Sequence, residues 1–201
     1  MDKLKNNGVY FALFTAVISG FSVFINKFAV GFIKPPLTFT ATKNLFVGVI
    51  ILFILLLSKK WNKIFDVNRN DLWKLLTISI VGGAIPFYLF FTGISTIPAI
   101  NAALIHKTLF VWVTLLAIPI LKEKVTKLQM VGIAALFASN LVVGGFKGFT
   151  FSTGEIMVLA ATILWSVENI IAKKVLINID SDVLTFYRMG VGSIFLIIAS
   201  L

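Results

Sequence analysis

Seven long apolar segments limit what this chain can fold into more than any other feature of its sequence. A helix that crosses the hydrocarbon core of a bilayer needs roughly 20 predominantly apolar residues. Of the 201 residues, 59% are hydrophobic and 13% are charged, whereas soluble domains average about 45–50% and 25%. In chain order the segments are Val9–Ile33, Leu37–Leu57, Leu72–Phe91, Pro98–Leu121, Leu128–Val143, Ile156–Leu176 and Val183–Leu201. The sequence therefore predicts an all-α polytopic membrane protein with about seven transmembrane helices, of which the fifth is the shortest.

The net charge of +10 is distributed as a membrane topology requires. With the N-terminus in the cytoplasm, 12 cations lie in inner loops and helix ends, 2 lie in outer segments and 4 lie inside helices. The inner set is Lys3, Lys5, Lys59, Lys60, Lys63, Arg69, Lys74, Lys122, Lys124, Lys127, Lys173 and Lys174, and the outer set is Lys34 and Lys147. Because positive residues accumulate on the cytoplasmic side, we expect a multi-pass protein of the cell membrane, in a prokaryote, with its N-terminus inside. The basic excess then marks topology and not nucleic-acid binding, and the lipid bilayer is the expected partner.

The sequence lacks the residues of the common catalytic and metal sites. It has no cysteine, which excludes disulfides and thiolate chemistry, and its single histidine cannot build a typical zinc site. The H-E-x-x-H, G-x-S-x-G and P-loop patterns are absent as well. We therefore expect no enzymatic activity, no cofactor and no metal.

Lys107 is the most informative polar residue. It lies about ten residues inside Pro98–Leu121, hence about 15 Å deep in a core about 30 Å thick. A cation there costs roughly 2.5–3.5 kcal/mol on insertion scales and usually serves function. His106 is its neighbour, and Asn101 and Thr108 share roughly one face of the same helix. The pattern predicts that Lys107 binds an anionic group, with His106 as a proton or hydrogen-bond partner. The alternative is an internal ion pair or a lysine that only packs.

Three more cations and one acid are embedded in the helices. Lys27 and Lys43 lie about 9 Å from the outer surface, so they either face a substrate pathway or extend to the interface. Arg188 is the inner counterpart of Lys43, and its planar fork suits a carboxylate or phosphate. Glu168 is either a proton-coupling carboxylate or the partner of Lys107. The candidate pathway comprises Lys107, His106, Asn101, Lys43, Arg188, Glu168 and the helix neighbours Asn169 and Trp165.

An internal repeat relates the beginning and the end of the chain. Leu37–Lys43 and Val183–Arg188 are alike, and their cations are 145 positions apart. The two copies are separated by five helices, an odd number, so the second copy crosses the bilayer in the opposite sense. Inverted repeats of this kind are typical of secondary transporters, whose substrate site lies between the halves near the midplane.

Three stretches resemble the drug/metabolite transporter superfamily, EamA type. They are Phe90–Ala103, Ile118–Lys124 with Glu123 in the inner turn, and Leu128–Ile133 with its early Gly132. Further similar positions are Gly20, Lys27, Pro36 and Lys43 in the first half, and Trp165, Asn169, Lys173, Leu184 and Arg188 in the second. The resemblance implies a first five-helix repeat over 1–146, a glycine-rich outer link over 147–154, and the start of a second repeat over 155–201. It also implies a transporter that exports small polar metabolites, such as amino acids or organic anions, by alternating access.

The chain departs from the family pattern in two ways. Family members usually have about ten helices, so this chain is expected to be a fragment, to form a homodimer, or to need a partner chain for the missing helices. Ile105–Thr108 also carries a histidine–lysine pair where the family commonly has a proline. The alternative to a carrier is a truncated, non-transporting membrane subunit that pairs with another chain.

Overall fold

A computed structural model describes residues 2–142, 148 and 150–200, and over these residues the chain is helical with no strand. Residues 143–147, which include Lys147, residue 149 and both terminal residues lie outside the described part. The α-helices are α1 (Asp2–Phe32), α2 (Pro36–Leu57), α3 (Arg69–Val81), α4 (Ile85–Thr96), α5 (Ala99–Lys107), α6 (Leu109–Leu121), α7 (Lys127–Val142), α8 (Thr153–Val175), α9 (Ser181–Phe186) and α10 (Gly192–Ile198). A 3₁₀ turn covers Trp61–Ile64, and a π-helical segment covers Tyr187–Val191.

Six helical segments of the described chain are long and apolar enough to cross a membrane, which confirms the all-helical polytopic fold. They are Leu13–Phe32, Pro36–Leu57, Arg69–Thr96, Ala99–Leu121, Thr153–Val175 and Ser181–Ile198. The fifth predicted segment corresponds to α7, whose apolar part, Lys127–Leu136, is shorter than the others. The third segment extends to Thr96, beyond the predicted Phe91, because the helix stays regular as Gly93 packs on α8.

Three of the membrane segments are interrupted in mid-course. The third is broken at Gly82–Ala84, between α3 and α4, where two glycines and the nearby Pro86 predict a bend. The fourth is interrupted at Thr108, whereas the sequence predicted one continuous helix. There the Thr108 hydroxyl donates to the Ile105 carbonyl over 2.7 Å and accepts from the Trp112 indole over 3.1 Å. The π-helical segment interrupts the last helix around Arg188.

Two apolar clusters lie on either side of the break in the third segment. One joins α1, α2, α4, α5 and α8 and includes Phe91, Ile94 and Val158. The other joins α2, α3, α8 and α9 and includes Leu55 and Leu75. Because α3 contributes only to the second cluster and α4 only to the first, the break lies in a layer between them. Glu168 and Arg188 border the break in this layer.

The loops at one end of the bundle are tied together by ion pairs. Lys63 donates to Asp180 over 2.8 Å, and Lys60 lies 3.9 Å from both Asp180 and Asp182. This hydrogen bond and the charges of the two lysines hold the pKa of Asp180 below its ordinary value. Lys173 pairs with Glu123 at the same end. The loops after α2, α6 and α8 therefore share one face, as alternating membrane passes require.

Candidate functional site

The break in the third segment brings helices from both ends of the chain into contact. A Cβ on Gly83 would fall on the carbonyl of Arg188, and one on Gly82 would overlap the stem of Glu168. Only glycine fits at either position, since both neighbours belong to packed helices. The carbonyls freed by the break are satisfied from outside the segment. Gly82 accepts from the Trp165 indole over 3.0 Å, and Gly83 accepts from the Asn44 amide over 3.0 Å.

Arg188 and Glu168 form an ion pair next to this break. Arg188 Nη2 lies 3.3 Å from Glu168 Oε2, and the two side chains are 31% and 4% exposed. Glu168 therefore pairs with Arg188. It does not pair with Lys107, which was the partner considered from the sequence. The reason is geometric: Arg188 and Glu168 both border the glycine break, whereas Lys107 is exposed on α5. The pair joins α8 to the π-helical segment across the point where the third segment is interrupted.

Lys43 approaches the same layer from α2. Its amino group lies 4.6 Å from the Phe91 ring centroid and 6.0 Å from that of Phe87. The Arg188 guanidinium lies 5.8 Å from the Phe87 centroid. Lys43 has no ion pair and no hydrogen bond with any residue that the structure describes. Lys43 and Arg188 thus both approach the Phe87 ring, and Lys43 has no counter-ion in the described part of the chain.

A cluster of rings borders this layer on the side of α4 and α5. Trp165 packs against Phe87, Phe90 and His106 with centroid distances of 5.2, 5.4 and 5.1 Å. His106 also contacts Phe90 at 5.3 Å, and its Nδ1 is buried without a hydrogen-bond partner among the described residues. Of the predicted residues, Trp165 reaches the break through its bond to Gly82, and His106 packs against Trp165.

Lys107 lies apart from the charged pair. It is exposed and lines a cavity of about 360 Å³ between α1 and α5, together with His106, Ser19 and Gly20. It forms no ion pair and no hydrogen bond with the described part of the chain. His106, one residue earlier, points to the ring cluster, because successive side chains on a helix point about 100° apart. His106 therefore lies between the ring cluster and this cavity, whereas Lys107 borders only the cavity.

The two predicted asparagines bind elsewhere. Asn101 is buried, and its amide donates to Glu155 Oε1 over 2.7 Å, tying α5 to the start of α8. Asn169 is exposed and donates to the Trp165 carbonyl of its own helix over 2.8 Å. Neither amide contacts Arg188 or Glu168 in this structure. Residue spacing along one helix could not predict either partner, since one partner lies in another helix and the other is a backbone carbonyl.

Lys27 has a structural partner. Its amino group donates to the carbonyls of Ile94 and Ile97 over 2.6 and 2.8 Å. These are carbonyls at the end of α4 that have no partner within the helix. A cation at a helix C-terminus also interacts favourably with the helix dipole. Lys27 therefore fastens α1 to α4 and does not add to the charge of the central layer.

Sequence reasoning missed Phe87 and Asn44. Phe87 is one of 20 phenylalanines, and nothing in its neighbourhood marks it as the ring that two cations share. Asn44 directly follows Lys43 and is fully buried, so an amide inside an apolar segment was a usable signal. Its partner, the Gly83 carbonyl, becomes available only through the break.

Comparison with known proteins identifies the family. The model of the EamA-like transporter family matches residues 6–145, well over half of the chain. The chain belongs to the EamA-like transporter family. Members of this family are transporters rather than enzymes, and six membrane-crossing segments make this member a multi-pass membrane protein. The resemblance noted in the sequence is confirmed.

Curated relatives carry the same general description. The chain is 25% identical to the uncharacterized transporter YyaM of Bacillus subtilis, over 98% of this chain and 66% of that protein. It is also 25% identical to an uncharacterized transporter of Methanothermobacter thermautotrophicus, over 96% of this chain and 61% of that protein. The chain therefore spans somewhat under two thirds of the length of these relatives. No solved structure gives a significant match.

Proposed function

We propose that this chain belongs to a secondary transporter that exports small polar solutes bearing a carboxylate or phosphate, such as amino acids or organic anions, by alternating access. The observation that carries the proposal is the contact of both Lys43 and Arg188 with Phe87, where Glu168 balances only one of the two charges. Discontinuous helices around a charged midplane site are typical of secondary transporters. Residues 1–146 are the first repeat in this proposal, 147–154 the link and 155–201 the start of the second.

The geometry suits an anionic group better than a cation. Lys43 is held over two phenyl rings without a counter-ion, and an unpaired charge within the membrane is costly. A bound carboxylate or phosphate would supply that counter-ion. The ring wall of Phe87, Phe90 and Trp165 offers an apolar surface for the rest of the solute.

Replacing Lys43 by methionine tests the substrate charge. The swap keeps an apolar stem and removes the charge, so we expect transport of anionic solutes to fall at least about tenfold, because one lost charge contact is worth about 1.5–3 kcal/mol. The measurement is uptake into inverted membrane vesicles of a radiolabelled panel: the 20 amino acids, acetate, lactate, succinate and inorganic phosphate.

Lys34→Met is the matched control, since it removes the same charge from the exposed outer turn. We expect it to transport like the wild type. Unchanged transport of every anionic solute by Lys43→Met, at equal expression, would contradict the proposed role of Lys43.

The proposed orientation places the loop after α2 in the cytoplasm. The chain has no cysteine, so single cysteines report their own accessibility. We expect a membrane-impermeant maleimide to leave Asn62→Cys unlabelled in intact cells and to label it after permeabilisation. Lys34→Cys, on the opposite end, should be labelled in intact cells. The reverse pattern would invert the topology.

The second candidate function is a membrane subunit that does not transport by itself. In such a subunit, the solute pathway would be completed only by the helices of a second chain. Failure of the chain alone to transport any member of the panel, together with transport when a second chain is co-expressed, would support this function.

A further inference from the structure

Of the two nitrogens along one edge of the Arg188 guanidinium, only one has a partner in the described chain. Its Nη2 contacts Glu168 at 3.3 Å, which is long for a charge-assisted hydrogen bond, usually about 2.7–2.9 Å. Its Nε is buried and has no hydrogen-bond partner in the described chain. Nε and Nη2 lie along the same edge of the guanidinium, the edge that holds a carboxylate through two parallel hydrogen bonds. Glu168 occupies one of these two positions, and no described group occupies the other.

Glu168 has no other support for its charge. It is 4% exposed, and Arg188 provides its only ion pair or hydrogen bond within the described residues. Its stem is held against Gly82, where no Cβ would fit. A buried carboxylate that loses its cation either destabilises the protein or takes up a proton. The protonation state of Glu168 therefore depends on whether Arg188 is free to pair with it.

The other charged groups near this layer lie beyond aromatic rings. Lys43 on α2 lies over Phe87 and Phe91, and His106 and Lys107 lie on α5, on the far side of Trp165. Helices α4 and α6 carry no charged residue, and the Asp71–Lys74 pair of α3 lies near the start of that helix. The Arg188 guanidinium favours the ionised form of Glu168. An anion bound to Arg188 would neutralise that influence.

We propose that a substrate anion and Glu168 compete for the Nε–Nη2 edge of Arg188, so that each bound anion is accompanied by one proton on Glu168. This inference rests on the proposed function, because it requires an anionic substrate. The proton comes from water and bonds to Glu168 Oε2, the oxygen released by Arg188. When the anion leaves, Oε2 loses the proton to water and pairs again with Arg188. Anion and proton thus bind together and leave together, and the substrate and the coupling ion move in the same direction.

The wild-type chain in proteoliposomes tests this coupling directly. The probes are the 20 amino acids, acetate, lactate, succinate and inorganic phosphate, with a trapped pH-sensitive dye to follow protons. We expect each transported anion to carry one proton, so that a gradient of one pH unit changes the final accumulation ratio about tenfold. Transport that moves no protons and ignores the pH gradient would overturn the coupling while leaving the proposed function intact. If no member of the panel is transported, the proposed function fails, and the coupling fails with it.

Two variants locate the coupling site. Glu168→Gln should carry the anion without proton movement and with less than about twofold dependence on the pH gradient. Glu123→Gln, which removes an exposed acid paired with Lys173, should couple like the wild type.

A measurement that needs no substrate keeps the proposal testable if Glu168→Gln folds poorly. In the wild type, infrared difference spectra on acidification should show the carbonyl band of a protonated buried acid, and Glu168→Asp should shift that band. A band that this change leaves unmoved would assign the proton to another group and overturn the proposal.

Discussion

Gly83→Ala should prevent most of the protein molecules from folding. The added methyl would fall on the backbone carbonyl of Arg188 and within 2.8 Å of the Ser79 carbonyl, and neither of these backbone groups can rotate away. Overpacking of a filled core costs about 1–3 kcal/mol, and a clash with backbone belongs at the upper end of that range. The measurement is the monodisperse fraction after mild detergent extraction, together with the thermal midpoint of that fraction.

Gly132→Ala is the matched control for this change. A Cβ at Gly132 meets nothing within 4 Å, and alanine is favoured over glycine in a helix by about 1 kcal/mol. The two substitutions should therefore shift the thermal midpoint in opposite directions. Equal stability of the two variants would show that the third segment and the last helix do not approach as closely as described.

Arg188→Met should be the most damaging loss of a single charge. It leaves Glu168 buried without a cation, and breaking a buried ion pair costs about 3–5 kcal/mol. Because Arg188 is 31% exposed, we expect about 3 kcal/mol. Glu168→Gln should cost less, since the guanidinium can still reach water. The measurement is again the thermal midpoint in detergent at pH 7.

The double variant separates the pair from the packing of its members. Arg188→Met with Glu168→Met removes both charges and keeps both stems, so it should recover more than half of the stability lost in Arg188→Met. Lowering the pH should also shrink the deficit of the single variant, because a protonated Glu168 needs no partner. A double variant as unstable as Arg188→Met would mean that arginine packing, not the charge pair, supports this layer.

The helices and the family could be predicted from the sequence because both depend on local or repeated features. The length of an apolar segment is enough to distinguish a membrane helix from a helix in a soluble core. The glycines at 82 and 83 likewise predict the bend where α3 ends. The cations were also found, since any charge inside an apolar run is conspicuous. Periodicity on one helix gave no information about partners on another helix.

The pairing of those charges was decided by tertiary structure. Lys107 looked central from its depth, yet it lies beside α1 without a partner in the described chain, while Arg188, seven residues after the start of α9, holds Glu168. The depth of a residue in the membrane follows from its position along the helix, whereas the groups that its side chain meets depend on where neighbouring helices cross. Here the crossing depends on glycines 82 and 83, which leave room for α8 and the π-helical segment to approach the break in the third segment. The sequence by itself determined which residues are charged within the membrane, and only the packing at this break determined which of them meet.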